Sequence, residues 1–249
     1  MTSVADRDDP TTAPLFTSTT PTISDLLDHG KVYRPQHDSD LLVEAVQNSD
    51  HAVGAAAADL CTGSGVIARA IAHLGARSVV AVDASDDAVR VARALCTDSA
   101  DRVAVRHGDV ATFRGTFDLV TCNPPYVPSP PDGRIQEPGL PRAAWEAGIN
   151  GRAVLDVVCS AAADLLKPGG NMYVVQSEFA GIEASVTALR SSGLVADVVV
   201  ERHIPFGPVL SAHAAWLEAN GRLEKGRRVE LLAVIRAHKR PVPTRPQSR

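Results

Sequence analysis

Ala55-Ala56-Ala57-Ala58-Asp59-Leu60-Cys61-Thr62-Gly63-Ser64-Gly65 is an apolar run that ends in an acid and a glycine-rich turn. Ala55 to Ala58 reads as a short buried strand, and Val66 to Leu74, closed by Gly75, has helical spacing. Strand, glycine turn and helix in that order make one unit of a parallel α/β sheet. The glycines let a ligand approach the backbone beside a helix N-terminus. Their spacing is not the full dinucleotide fingerprint, and no Lys-Ser/Thr follows to make a phosphate loop. Asp59 at the strand end disfavours a phosphate and favours a cation such as an amino acid's ammonium.

The same alternation continues along the chain. Asp40 to Gln47 precedes this unit as a helix, and Ser78 to Val82 follows it as a strand. A helix capped by Ser85 or Asp86 runs to Leu95; strands follow at Arg102–Arg106 and Asp118–Cys122. A Pro- and Gly-rich loop, Val127 to Asn150, leads to a helix over Arg152–Leu166, which stops at Lys167-Pro168-Gly169-Gly170. Met172–Gln176 is a strand, Ile182–Arg190 a helix, and Ala196–Glu201 and Val229–Arg236 the last strands. No helix is evident between these last two; His203–Arg227 reads as a long insertion, and an antiparallel edge hairpin fits. The expected fold is α/β: a Rossmann-like, mostly parallel seven-stranded sheet with an antiparallel edge hairpin and helices on both faces.

The strand ends carry a pattern. Asp83 ends the second strand about twenty residues after the glycines, where an acid takes ribose hydroxyls. Asp109 follows the third and suits an adenine amino group. Singly, each acid is an ordinary helix cap or loop residue. Three after successive strands outline a pocket for an ammonium, a ribose and an adenine without phosphate, which describes S-adenosylmethionine.

After the fourth strand stands Asn123-Pro124-Pro125-Tyr126. Two prolines forbid helix and stiffen the turn. The Asn oxygen and a backbone carbonyl can accept both N–H bonds of a flat NH2 group, with the Tyr ring against its face. By itself the tetrapeptide is also a common turn initiator.

Composition narrows the class. The chain has 249 residues, 45% hydrophobic, with net charge −4 and a pI near 6.0. That is one α/β domain's worth of core, without the basic footprint of a protein that grips nucleic acid non-specifically. Residues 1–20 read as a disordered tail, 21–238 as the domain and 239–249 as a flexible basic tail. Cys61, Cys96, Cys122 and Cys159 are widely spaced, as in buried free thiols of a reducing cytoplasm. No apolar run has transmembrane length. His107 and His203 lack spaced partners, so no metal site is expected.

These motifs together resemble the amino-group methyltransferases, and most closely the HemK-like methyltransferases, which methylate a glutamine side-chain amide in peptide-release factors. Val32-Tyr33-Arg34-Pro35-Gln36-His37-Asp38-Ser39 and Ala144-Trp145-Glu146-Ala147-Gly148-Ile149-Asn150-Gly151-Arg152 are similar to segments of the short single-domain branch that acts on eukaryotic and archaeal factors. The resemblance covers Val32 to the last strand. It implies S-adenosylmethionine beside Tyr33, Ser39, Asp59, Gly63 and Gly65, its ribose on Asp83 and its adenine on Asp109. Asn123 and the Pro124 carbonyl would hold the target amide, with Pro125, Tyr126 and Trp145 around it. It further implies a protein substrate in the cytoplasm and, as in some enzymes of this branch, a small zinc-binding activator. The chain departs at Cys61, where many relatives have glycine, and at His37, where many have an acid.

A lysine target within a protein stays open, and two other readings stand beside this one. Asn-Pro-Pro-Tyr equally suits the exocyclic amine of adenine or guanine, although the acidic charge and the lack of a recognition domain count against a nucleic acid. A catalytically silent, cofactor-binding scaffold is opposed by Asn123 and the three acids.

Overall fold

In this computed structural model residues 32–131 and 147–242 are described; the expectations for residues 1–20, Trp145 and 243–249 lie outside them. The strands are β1 (Ala56–Leu60), β2 (Ser78–Asp83), β3 (Val103–His107), β4 (Phe117–Cys122), β5 (Leu166–Ser177), β6 (Val195–Pro205) and β7 (Val229–His238). They form one sheet in the order β3-β2-β1-β4-β5-β7-β6. The first five are parallel, and β7 runs antiparallel between β5 and β6. The helices are α1 (His37–Gln47), α2 (Val66–His73), α3 (Asp86–Leu95), α4 (Ala153–Leu165), α5 (Ile182–Ser191) and α6 (Pro208–Ala219).

The strand period of two distributes the core. Ala57 and Leu119 face Leu41, Leu42 and Ile71 of α1 and α2 on one side of the sheet. Ala58, Val120 and Cys122 face Leu155, Val158 and Leu189 of α4 and α5 on the other. With both faces covered, central strands such as Phe117–Cys122 are buried almost throughout. Ser85 caps α3 by accepting from the Ala88 amide.

Three boundaries differ from the sequence expectation. Lys167-Pro168-Gly169-Gly170 does not separate helix from strand; β5 begins at Leu166, and its pairing with β4 shifts register across these residues. A bulge there accommodates Pro168, which has no N–H for the ladder, and Gly170, whose Cβ would lie 2.9 Å from the Phe117 carbonyl oxygen. The stretch from His203 to Arg227, expected as a long insertion without an evident helix, has regular structure. It finishes β6 and then forms α6, which starts at Pro208, a residue suited to a first helical turn. A helix therefore does lie between the two strands of the edge hairpin. Finally, Lys239, expected in a flexible tail, is anchored, its Nζ donating to the Ala163 and Leu166 carbonyls at 2.7 and 2.9 Å.

Candidate active site

Because β3, β2, β1 and β4 lie side by side, their carboxyl ends set Asp109, Asp83, the Thr62–Gly63 turn and Asn123 along one edge of the sheet. A cavity of about 790 Å3 opens there, as expected for a ligand at the strand ends. Asp83 is fixed by two backbone amides: Gly63 N donates to Oδ2 at 2.8 Å and Ser85 N to Oδ1 at 2.9 Å. Burial raises its pKa, and those two bonds oppose the rise. Asp109 Oδ1 accepts from Ala111 N at 2.8 Å. Both acids line the cavity while also performing the turn-capping role that each suggested singly. Gly63 lines it too, with φ +54° and nothing but the Cys61 carbonyl oxygen, at 4.0 Å, near where a Cβ would stand.

Asp59 and Gly65 lie behind this wall and do not line the cavity. Asp59 is fully buried and accepts from Thr62 Oγ1 at 2.6 Å and Thr121 Oγ1 at 2.7 Å. Desolvation pushes its pKa up to about 6, against those hydrogen bonds. Its role is to tie β1, β4 and the glycine turn together. Gly65, at φ +85°, packs against α3: a Cβ would lie 3.0 Å from Ala92 Cβ and 3.1 Å from Cys96 Sγ. Its bareness serves helix packing.

At the other end Asn123, Pro124, Pro125 and Tyr126 all line the cavity, with Tyr33 and Ser39 opposite. Asn123 Nδ2 points to Ser39 Oγ at 3.4 Å. The hydroxyls of Tyr33 and Tyr126 both donate to Asp38 Oδ2, at 3.1 and 3.0 Å. Asp38 Oδ1 accepts from Ser39 N at 2.7 Å. Burial, then the neighbouring Asp38 carboxylate, raises both phenols above their ordinary pKa, so they remain donors. The tetrapeptide thus meets the segment before α1 through one buried acid.

A family model described as "Methyltransferase small domain" matches residues 33–131, which include every strand-end residue above. The mouse methyltransferase HEMK2 is 32% identical over 176 residues, covering 66% of this chain and 79% of its own length. The chain belongs to the HemK-like methyltransferase family. A release factor glutamine methyltransferase of Geobacter sulfurreducens is 35% identical over 150 residues, 56% of this chain and 51% of its own length. Among solved structures, the E. cuniculi Mtq2–Trm112 complex, responsible for methylation of eRF1, superposes with a TM-score of 0.58 at 20% identity. That match covers 84% of this chain and 98% of that one, and it shows the same fold.

Several residues of this HemK-like chain were not legible as site residues. Asp38 is 3% exposed, whereas its neighbour His37, the departure noted above, is exposed at the rim. Ile204 to Leu210 and Glu230, from the β6–α6 turn and β7, close the cavity. The one signal for them was Pro205 and Pro208 beside Phe206, which mark a turn. Arg152, at the end of the quoted segment Ala144–Arg152, braces the helix layer by donating to Ala180 O, Gly181 O and Ser185 Oγ. The four cysteines are free thiols; Cys61 is half-buried with φ +54°, and the rest are buried. Among the described residues no cluster suits a metal ion, and no helix is long and apolar enough to cross a membrane.

Proposed function

We propose that this methyltransferase transfers a methyl group from S-adenosylmethionine to the side-chain amide nitrogen of a glutamine in a protein, with a translation release factor as acceptor. The observation that carries the reading is the pairing of the Asn123 turn with a cavity whose described lining has four carboxylates, Asp38, Asp83, Asp109 and Glu230, and neither lysine nor arginine. Such a lining repels the phosphates of a nucleic acid and accommodates a neutral amide. The relatives named for release-factor glutamine methylation support the acceptor.

S-Adenosylmethionine fits the donor end: Gly63 leaves room for close backbone approach, Asp83 suits a ribose and Asp109 an adenine edge. It supplies an electrophilic methyl group on a sulfonium. The chain's own residues then position the acceptor. With Nδ2 of Asn123 turned to Ser39, its carbonyl oxygen is left to accept one N–H of the target, and the Pro124 carbonyl accepts the other. An amide nitrogen is a weak nucleophile, so two acceptors aimed at its hydrogens favour the positive charge that would build as the N–CH3 bond forms and the S–CH3 bond breaks; the sulfur would leave as a neutral thioether and one N–H proton would pass by way of these acceptors to solvent. Tyr126, held by Asp38, walls the slot. A small activator subunit of the Trm112 kind, as in the Mtq2 complex, and a cytoplasmic location complete the reading.

The test is incubation of the protein, alone and with a Trm112-type subunit, with methyl-labelled cofactor and cell extract, followed by protease or nuclease. Protease-sensitive label on glutamine, reduced at least ~10²-fold in Asn123→Ala with cofactor affinity kept, is the expected result. Nuclease-sensitive label would replace this reading with the nucleobase one, and no label under either condition would favour a silent binder.

A further inference from the structure

Glu230 has no part in the mechanism above, yet its environment marks it. It stands on β7 opposite Ile204 of β6, and both residues line the cavity. Glu230 is 5% exposed, with the Ser177 side chain close to its carboxylate. Its Oε2 has no hydrogen-bond partner among the described residues. Buried carboxylate oxygens are almost always paired, so a carboxylate that lines a cavity with an oxygen left unpaired is poised to take a donor from the ligand.

The neighbours define which donor. Asp38 of α1 is saturated by Tyr33, Tyr126 and Ser39, so it adds negative field without competing for a partner. Glu178, after β5, adds a second negative charge, and Arg227 is the facing cation. Arg227 is already engaged by Glu178. Tyr33 and Tyr126 are the remaining titratable groups that face Glu230. Burial first, and Asp38 with Glu178 next, push Glu230 up to about 7. The carboxylate pair is on the acceptor side: Asp38 holds Tyr126 directly, and Ser39 connects it to Asn123.

We propose that Asp38 and Glu230 form an acidic subsite at the acceptor end of the cavity, in which the Glu230 carboxylate accepts an N–H from the peptide segment carrying the target glutamine. The inference rests on the protein-glutamine reading. A peptide fed into the slot by one side chain offers two sources of this chemistry: the main-chain N–H next to the glutamine, or the N–H of a basic side chain flanking it. Ionised Glu230 accepts such a bond, whereas protonation of its carboxyl group weakens the acceptor, so peptide recognition strengthens as pH rises through about 7.

Steady-state kinetics on a peptide spanning the labelled glutamine test this. In Glu230→Gln, KM for the peptide should rise about tenfold, kcat should change little and the pH-dependent limb near neutrality should flatten. Cofactor affinity should stay at the wild-type value. Glu230→Asp, the second variant if the glutamine form melts early, should raise KM but keep the limb. With the wild-type enzyme, a peptide N-methylated on the main chain beside the glutamine, or one with its basic flank changed to alanine, should lose the same affinity. Whichever does so identifies the donor. Unchanged KM and pH profile in the variants, or full affinity for both altered peptides, would overturn the subsite while leaving the glutamine reading intact. Absence of methyl transfer to any glutamine by the wild-type enzyme would instead defeat that reading, and the subsite with it.

Discussion

The Tyr126 hydroxyl donates to Asp38 Oδ2 at 3.0 Å, joining the end of the Asn-Pro-Pro-Tyr turn to a residue 88 positions earlier in the chain. Tyr33 donates to the same oxygen at 3.1 Å. One buried carboxylate therefore sets two of the rings that line the cavity. Asp38→Ala should leave two phenols without their acceptor and lower kcat/KM about 10²-fold, on the order of 3 kcal/mol. Tyr126→Phe, which loses one bond and keeps the ring, should lower it tenfold or less. Turnover of the labelled substrate by the two variants, compared with their thermal melts, separates positioning from folding.

Gly151 presses on the same turn from the other side. It has φ +73°, and a Cβ built there would collide with the Tyr126 carbonyl oxygen. Gly151→Ala should displace Tyr126 and reduce turnover by about tenfold or more, with a stability loss of about 1–3 kcal/mol. Urea unfolding measured beside kcat checks both effects.

The glycine turn carries strain at a residue that is not glycine. Cys61 stands at φ +54°, where a side chain costs about 1 kcal/mol. Cys61→Gly should leave stability equal or raise it by up to about 1 kcal/mol, whereas the β-branched Cys61→Val should lower it by about 1–3 kcal/mol. Gly65→Ala should destabilise by a similar ~1–3 kcal/mol, because its methyl would press on α3. Its cofactor affinity, taken on the folded fraction, should change less than that of Gly63→Val.

Asp59 links stability to pH. Its folded pKa, about 6, lies above its ordinary value of 3.8. A raised pKa contributes stability that is complete below the ordinary value and disappears as pH rises through the folded one. The window is therefore about pH 4 to 6, and the full effect is on the order of 3 kcal/mol. Asp59→Asn lacks this titration. The stability of the wild-type protein relative to the variant should fall across that window and level off above it, as followed by urea midpoints at a series of pH values. A constant difference would remove Asp59 from this role.

The central part of the fold was legible because its signals are local. Ala56–Leu60, Ser78–Asp83 and Phe117–Cys122 are short apolar runs with turn residues after them, and helix α3 announces its start with Ser85. The bulge at Lys167–Gly170 and helix α6 were not legible. A bulge depends on which strand pairs alongside, and α6 follows an eleven-residue strand whose pattern is mixed because it lies at the sheet edge.

The sequence by itself determined which residues stand at the carboxyl ends of successive strands, since strand period and turn chemistry place Asp83, Asp109 and Asn123 without reference to the rest of the chain. The tertiary structure alone decided what each side chain faces. Asp59 and Gly65, in the same motif as Gly63, turn into the core, because Thr62 and Thr121 satisfy the one and α3 packs on the other. Asp38, quoted only as part of the segment before α1, and Glu230, which lies in no motif, come together at the cavity because α1 and β7 meet there. Hydrogen-bond satisfaction and close packing act between residues distant in sequence, and no local pattern encodes them.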